Sequence, residues 1–593
     1  MNILEFNREK ARLNANINNY KYSRRMDHPK AKQYVTELCL LYIKAGVEPR
    51  TTFGYYELWE ALNSGSMMEE ETVYAKTPKR ETAKELLSKA EIKYITKFMS
   101  NPSYRMDNKI EILMNEFKVD EDTLHSWFMD LNISTVSSQF EKAKFHSLKP
   151  AQRYIISSAQ TASAVYKPFF ENMLAYAEFI GAEVGIIATR YKNPTSVHRI
   201  EGDVWDERVL PYLTAQRQSL HEGIVLLGDL KIQATATSPT TGLDSVEGSA
   251  SCIIGSPAVE FRPIATLPEE RQKFLMSTGS VTNPSFTDTK AGSVAAEFHR
   301  YGFIVVEIES DETVHFRNVV GESDGSFNDL VYRVEDSRIG TEDVGTMVWG
   351  DSHYAQKIQE VTDAFRGMCT DLGISKSILH DVWDSKNLNV HNFNNPVEQY
   401  RLLKDPKNSL QAEIDQLIEE LFWFEDNMEE TIVVRSNHDD MLDRAMYQGD
   451  WKKNLANAEL FVQFLSLTLS GKAPKGIIPY IIEDYFDRVK ALGVEDSYVQ
   501  TGVQLALHGH KGASGSKGSL NQFAKLPIPN IIGHSHAPHI KGNTYQVGIS
   551  CGMSHGYNQG LSKWAYAGVT LNNRGIRQLI VLNKDTLTYT TLY

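Results

Sequence analysis

Apolar residues recur every three or four positions through the first quarter of the chain, as in TELCLLYIKAGV and ELWEALNSG. This spacing predicts helices and a mainly helical N-terminal domain over residues 1–147. Within it, KIEILMNEFKVDEDTLHSWFMDLNI has the outline of a helix-turn-helix. Ile110, Leu113, Met114 and Phe117 lie on the first helix, Asp120 is a candidate N-cap, and Leu124, Trp127, Phe128 and Leu131 lie on the second. The second helix is acidic, which favours a packing unit over a DNA reader.

Near Pro150 the pattern changes to strand, helix, strand: RYIISSA, VYKPFFENMLAYAEFIG, EVGIIATRY. GIVLLGDL, SASCIIG, GFIVVEI and DLVYRV follow as further strands between Gly-, Ser- and Thr-rich loops. These predict an α/β middle domain over 148–340 without a Walker-type or GxGxxG phosphate loop. From 341 to 593 the alternation becomes regular. TMVWG, SILHD and TIVVRSN are strands separated by helices through AQKIQEVTDAFRGMCTDLG and LQAEIDQLIEELFWFEDNM. Helices are predicted over WKKNLANAELFVQFLSLTL and PYIIEDYFDRVKAL. The strands VQLALHG, NIIG, TYQVGIS, AYAGVTL, RQLIVLN and TLTYTTLY close the chain.

A length of 593 residues implies several cores, since domains average roughly 100–200 residues. No run of about 18 apolar residues and no signal-peptide pattern is present, so a soluble, cytoplasmic protein with no membrane partner is expected. Four dispersed cysteines without a CxxC pair indicate neither a disulfide framework nor a thiolate zinc site. The net charge of −13 argues against a generally basic nucleic-acid-coating surface. Locally the segment Arg8 to Lys32 is basic and reads as a solvated arm or a DNA-contacting one.

Ten of the seventeen histidines fall between His353 and His555. The candidate ligands sit at or just past predicted strand ends, in the order GDSH (Asp351, His353), HDVWD (Asp381, Asp384), SNHDD (Asn437, His438, Asp439), HGH (His508, His510) and GHSH (His534, His536). Open α/β sheets collect their ligand-binding side chains in that crevice. Asp-x-His and His-x-His spacing along a strand turns both side chains of a pair to one face. Carboxylates, imidazoles and one amide suit manganese, iron or zinc better than calcium. Of the HGH pair, His508 is the expected ligand because it directly ends VQLAL. GDVWD (to Asp206) and GIVLLGD (Asp229) are textual decoys, since no D-x-H precedes either and no NH[DE] follows at a sensible distance.

This series resembles the calcineurin-like metallophosphoesterase pattern: D-x-H, GDxxD, GNH[DE], H, GHxH. The resemblance implies a β-sandwich flanked by helices and two divalent ions. Asp351, His353 and His536 would hold one ion, and Asn437, His508 and His534 the other, with Asp381 bridging them. His438 would serve the substrate phosphate or leaving oxygen, and Asp384 would orient His438. His380 and Ser436 depart from the pattern, standing where glycines are usual. Such ions, about 3.5–4 Å apart, activate water for in-line attack on phosphorus.

Phosphatases and nucleases share this ligand set. SNHDD and GHSHAP are similar to motifs of SbcD-type exonucleases, and the loop HKGASGSKGSLNQFAK brings Lys511, Lys517 and Lys525 as candidate contacts to DNA. The whole chain, including QRYIISSAQTASAVYKPFFENML, resembles the early host-DNA-degrading proteins of T-five-like bacteriophages. That resemblance implies a manganese- or magnesium-dependent DNase in the infected bacterial cytoplasm, and helical N-terminal regions of this kind often form homo-oligomers. The competing readings are a phosphomonoesterase or protein phosphatase, and a DNA-binding protein with a vestigial phosphoesterase domain.

Overall fold

The computed structural model describes residues 29–47, 56–64, 86–99, 106–131, 140–142, 144–190, 204–286, 289–386, 395–404, 409–449, 457–556 and 558–592, with a few isolated positions besides. Most of the basic segment from Arg8 to Lys32 lies outside the described residues. The fold is mixed α/β and divides into two compact units, Met1–Thr135 and Val136–Tyr593. Among the described residues no helix is long and apolar enough to cross a membrane.

In the first unit the described elements are helices: Pro29–Ala45, Tyr56–Asn63, Lys89–Met99, Met106–Phe117 and Glu121–Asp130. The last two are the expected helix pair. Asp120 caps the second, its Oδ1 accepting from the Thr123 amide at 2.8 Å. Leu113, Leu124, Trp127 and Phe128 are buried against Ile95 and Met99 of Lys89–Met99, so the apolar faces of the pair are used in packing.

The second unit is built on three large sheets, of ten, six and five strands. A six-stranded sheet runs Val489–Ala491, Glu430–Val433, Ile374–Leu379, Gly345–Val348, Ala567–Leu571, Arg577–Val581; the first four are mutually parallel and the last two antiparallel. Strand pleating turns successive side chains to opposite faces, and two cores record that period. Met347, Leu379 and Val433 face the helices Gln359–Asp371 and Leu410–Asn427, burying Phe365, Leu417 and Phe424. Their neighbours Val348, Ile378 and Ile432 join a core with Val503, Ile531 and Val547 from near a ten-stranded sheet. Helices therefore cover one face of the six-stranded sheet and the ten-stranded sheet covers the other.

The ten-stranded sheet crosses the expected boundary at residue 340. His539–Lys541 pairs antiparallel with Glu260–Ile264, Ile540 opposite Phe261 and Lys541 opposite Glu260. The regions 148–340 and 341–593 thus form one compact unit instead of two, because their strands share a ladder and a core. A buried polar network adds to the join. Arg317 grips Asp329 at 2.6 and 2.8 Å, and Asp329 also accepts from Tyr176 (2.7 Å) and from Gln578 (2.8 Å) on the strand Arg577–Val581.

Two other expectations change. PYIIEDYFDRVKAL is not one helix: Ile477–Tyr485 is helical and Val489–Ala491 is a strand, whose buried Val489 and Ala491 alternate with exposed Lys490 in the period of a sheet edge. TLTYTTLY forms no ladder over its described residues. Its polar groups go to side chains instead, Thr590 Oγ1 and the Thr591 amide to Glu307 at 2.8 and 2.9 Å.

Removing one partner of a buried charge network leaves the others desolvated and unpaired, at a cost of about 3–5 kcal/mol. Arg317→Met is therefore expected to lower the unfolding free energy by about that amount in urea denaturation. A variant as stable as the parent would show that the join does not depend on this network.

Candidate metal centre

Every expected ligand follows the C-terminal end of a strand. Gly345–Val348 delivers Asp351 and His353, Ile374–Leu379 delivers Asp381, and Glu430–Val433 delivers Asn437. The strands Val503–Gln504 and Asn530–Ile532 of the ten-stranded sheet deliver His508, His534 and His536. Backbone conformation makes the convergence possible. His353 (φ 37°), Asp381 (φ 49°), His534 (φ 76°) and His536 (φ 60°) all take the left-handed conformation that side chains disfavour. Strained non-glycine residues persist where surrounding structure overdetermines them, and they cluster at functional sites.

The seven residues gather into overlapping groups of ligand atoms. Asp351, His353, Asp381 and His536 form one, and Asp381, His508 and His534 another, so the Asp381 carboxylate belongs to both. His353 Nε2 lies 3.1 Å from His536 Nε2 and 3.5 Å from Asp381 Oδ2. His508 Nε2 lies 3.3 Å from Asp381 Oδ2 and 3.1 Å from Asn437 Oδ1, which brings the amide into the second group. Of the HGH pair it is His508 that joins this group. His510 instead approaches Asp440, Nε2 to Oδ2 at 3.4 Å.

Two carboxylates buried this deeply need compensating charge. Burial alone would raise the Asp381 pKa, but His438, His508 and His353 outweigh it and hold the carboxyl well below its usual range. Burial also disfavours protonated His353, yet Asp381 and Asp384 hold that imidazole up to about 9. Even so, Asp351 Oδ1 and Asp381 Oδ1 are buried and accept no hydrogen bond from the described residues. Unsatisfied carboxylate oxygens beside several imidazole nitrogens are what a divalent cation coordinates, so the donor set fits a metal.

Close approach is secured by glycine. A Cβ on Gly533 would stand 2.3 Å from Asp351 Oδ1, and one on Gly350 would meet the Ile549 backbone at 2.4 Å. The Asp351 carboxylate can therefore lie against the GHSH turn, where its Oδ2 accepts from the His534 amide at 2.7 Å.

Asp384 meets two histidines, with a different group for each. The Asp384 carboxylate lies 3.2 Å from His353 Nδ1 and accepts from the Ala355 amide at 2.8 Å. It is the main-chain oxygen of Asp384 that accepts from His438 Nδ1, at 2.7 Å. Asp384 thus steadies both histidines, His353 with its side chain and His438 with its backbone.

Both departures from the glycine pattern have a structural role. Ser436 caps the helix Asn437–Gln448, its Oγ accepting from the His438 and Asp439 amides, while Asp439 returns a bond to the Ser436 amide. This reciprocal cap fixes the start of the helix that carries Asn437 and His438. His380 is fully buried, its Nδ1 3.4 Å from His508 Nδ1, and it groups with Asp351 and His508 as a further candidate ligand. His555 was also not singled out from sequence. It groups with His353 and His536 and packs edge-on against Trp564, in a loop with no strand-end signal.

The basic loop folds back on the site, with the Gly518 amide donating to His510 O at 2.9 Å. Lys511 pairs with Asp440 at 2.6 Å, whereas Lys517 and Lys525 are exposed. Of the decoys, Asp206 is clamped by Arg208 at 2.6 and 2.8 Å and Asp229 pairs with Arg217.

Because Asp381 belongs to both groups, Asp381→Ala is expected to abolish manganese binding measured by titration calorimetry and elemental analysis. Saturating manganese at about 100 times its Kd would stabilise the unmodified protein by about 2.7 kcal/mol, and the variant by almost nothing. Gly533→Ala should weaken metal binding at least about tenfold by displacing the Asp351 carboxylate, a typical effect of disturbing a ligand's support. Unchanged metal content in Asp381→Ala would refute the shared role.

The chain is 27% identical over 472 residues to Protein A1 of Escherichia phage T5, covering 73% of this chain and 82% of that protein. No family model matches the chain, and no solved structure matches it.

Proposed function

We propose that this chain is a metal-dependent deoxyribonuclease of the calcineurin-like metallophosphoesterase type, hydrolysing phosphodiester bonds with two divalent ions. The observation that carries the reading is the Asp381 carboxylate, common to two ligand groups of opposite provenance: one from the six-stranded sheet with His536, the other from the ten-stranded sheet. One bridging carboxylate between imidazole-rich half-sites is the arrangement two-metal phosphoryl-transfer centres use. Asp351, His353, Asp381 and His536 would hold one ion, and Asp381, Asn437, His508 and His534 the other, with manganese favoured by the mixed oxygen and nitrogen donors. When bound, the ions supply positive charge that polarises the phosphoryl group and eases deprotonation of the attacking water.

The remaining chemistry belongs to the protein. A carbonyl oxygen only accepts, so the bond from His438 Nδ1 to Asp384 O puts a proton on Nδ1 and leaves Nε2 directed at the site, 4.0 Å from Asp381 Oδ2. There Nε2, when protonated, donates to the departing oxygen as charge develops on it. The Asp384 carboxylate lies 3.2 Å from His353 Nδ1, so that Nε2 is the ring nitrogen left for the metal.

For DNA as the substrate, the support is the basic loop beside His508 and His510, with Lys517 and Lys525 exposed to a phosphate backbone. The distant similarity to a phage T5 protein, together with the SNHDD and GHSHAP motifs, supports degradation of host DNA in an infected bacterium.

Purified protein with manganese is expected to shorten linear duplex DNA on a gel, and to lose that activity in EDTA. Hydrolysis of p-nitrophenyl phosphate with DNA left intact would sink the nuclease reading and favour a phosphomonoesterase. His438→Ala should keep its manganese, by elemental analysis, while hydrolysis falls about 10²–10⁴-fold, the range for loss of a general acid.

A further inference from the structure

A second charged site lies at the other end of the strand that leads to His534. Arg300 and Arg577 line a cavity of about 200 Å³ whose further walls include Phe298, Val320, Ile540 and Tyr545. Arg577 Nη1 donates to the Asn530 and Asn543 carbonyls at 3.1 and 2.6 Å, and its guanidinium stacks 4.4 Å from the Tyr545 ring centre. Arg300 Nη1 donates to the Glu297 and His299 carbonyls at 2.7 and 2.8 Å, and its Nη2 to Asn543 Oδ1 at 3.1 Å.

Among the described residues neither arginine makes an ion pair with a carboxylate, and no acidic residue lines the cavity. Arg300 and Arg577 are half-buried, and the fully buried arginines of the same unit do have such partners: Arg317 has Asp329 and Glu307, and Arg435 has Asp440 and Asp443. Burial, opposed only by Tyr545, and then the like charge of Arg300 lower the Arg577 pKa. Nε and Nη2 of Arg577 donate to no protein group among the described residues. Two guanidinium charges are thus held side by side, one with donors to spare, beside apolar walls. Carbonyl oxygens satisfy part of their hydrogen bonding but none of their net charge.

We propose that this cavity is an anion site that takes a phosphate group, with Arg577 as its principal ligand and Arg300 beside it. Guanidinium matches phosphate geometry through paired donors, and the apolar walls admit part of an attached nucleoside. The strand Asn530–Ile532 begins at the Arg577 contact and ends just before Gly533, so the two sites are separated by roughly 10–13 Å of extended chain. The inference is independent of the phosphoesterase reading, since it uses none of the metal-centre residues.

The test is titration calorimetry of the full chain in EDTA, which keeps the metal centre from capturing the probe. Three probes are used: inorganic phosphate, a deoxynucleoside 5′-monophosphate and a 5′-phosphorylated oligonucleotide. At least one should bind, with affinity falling at least about tenfold in Arg577→Met, as for loss of a charge-assisted hydrogen bond. Binding of inorganic phosphate identifies a free-anion site, and binding of only the nucleotide probes identifies a nucleic-acid product or end; both support the proposal. If circular dichroism shows that Arg577→Met does not fold, Arg300→Gln decides by the same criterion. No binding of any probe, or binding undiminished in the folded variant, overturns it.

Discussion

The constraint on which the site depends is the burial of two carboxylates, Asp351 and Asp381, side by side. Taking such groups out of water costs several kcal/mol each unless charge and hydrogen bonds compensate. Here compensation comes from imidazoles delivered by four separate segments, His353, His438, His508 and His536, with His353, His508 and His536 all within 3.5 Å of one carboxylate or the other. It is incomplete, since one oxygen of each carboxylate accepts no hydrogen bond from the described residues. A centre left with that electrostatic deficit favours a cation over any neutral occupant.

Holding this arrangement imposes conditions on the backbone around it. Four of the candidate ligands take left-handed conformations, and two glycines, Gly350 and Gly533, allow main chain and carboxylate to meet at distances a Cβ would forbid. Local strain of this kind persists only in a rigid frame. The frame is the pair of packed sheets, one carrying Asp351 and Asp381 and the other His508, His534 and His536. Because Glu260–Ile264 extends the second sheet, residues before 340 help to position ligands after it. The region preceding the candidate ligands is thus part of their support.

At two positions where the resembled motif series has glycine, side chains of this chain contribute to the cluster. Ser436 replaces a glycine with a residue that caps the helix bearing Asn437 and His438. His380 replaces another and brings an imidazole against His508, so the ligand cluster is richer in nitrogen than the motif alone implies. Asp384 divides its side chain and carbonyl between His353 and His438, which couples a ligand to the proposed proton donor through a single residue.

The sequence by itself determined most strand and helix periods of the α/β region, though not the split of PYIIEDYFDRVKAL or the end of the chain, and it marked the helix pair capped by Asp120 and the seven metal-ligand candidates. Those features are local: a strand's alternation, a cap and a ligand motif are written in residues a few positions apart. It also favoured His508 over His510, because position at a strand end decides which side chain reaches the crevice. Only the tertiary structure decided that 148–340 and 341–593 share a sheet, since a ladder such as Ile540 with Phe261 joins residues far apart in the chain. For the same reason His555 carried no local signal, and nothing local showed that the Asp384 carboxylate lies against His353 while its carbonyl meets His438. Each depends on which groups are brought within a few ångströms by packing, and the packing of distant segments has no short-range pattern to mark it.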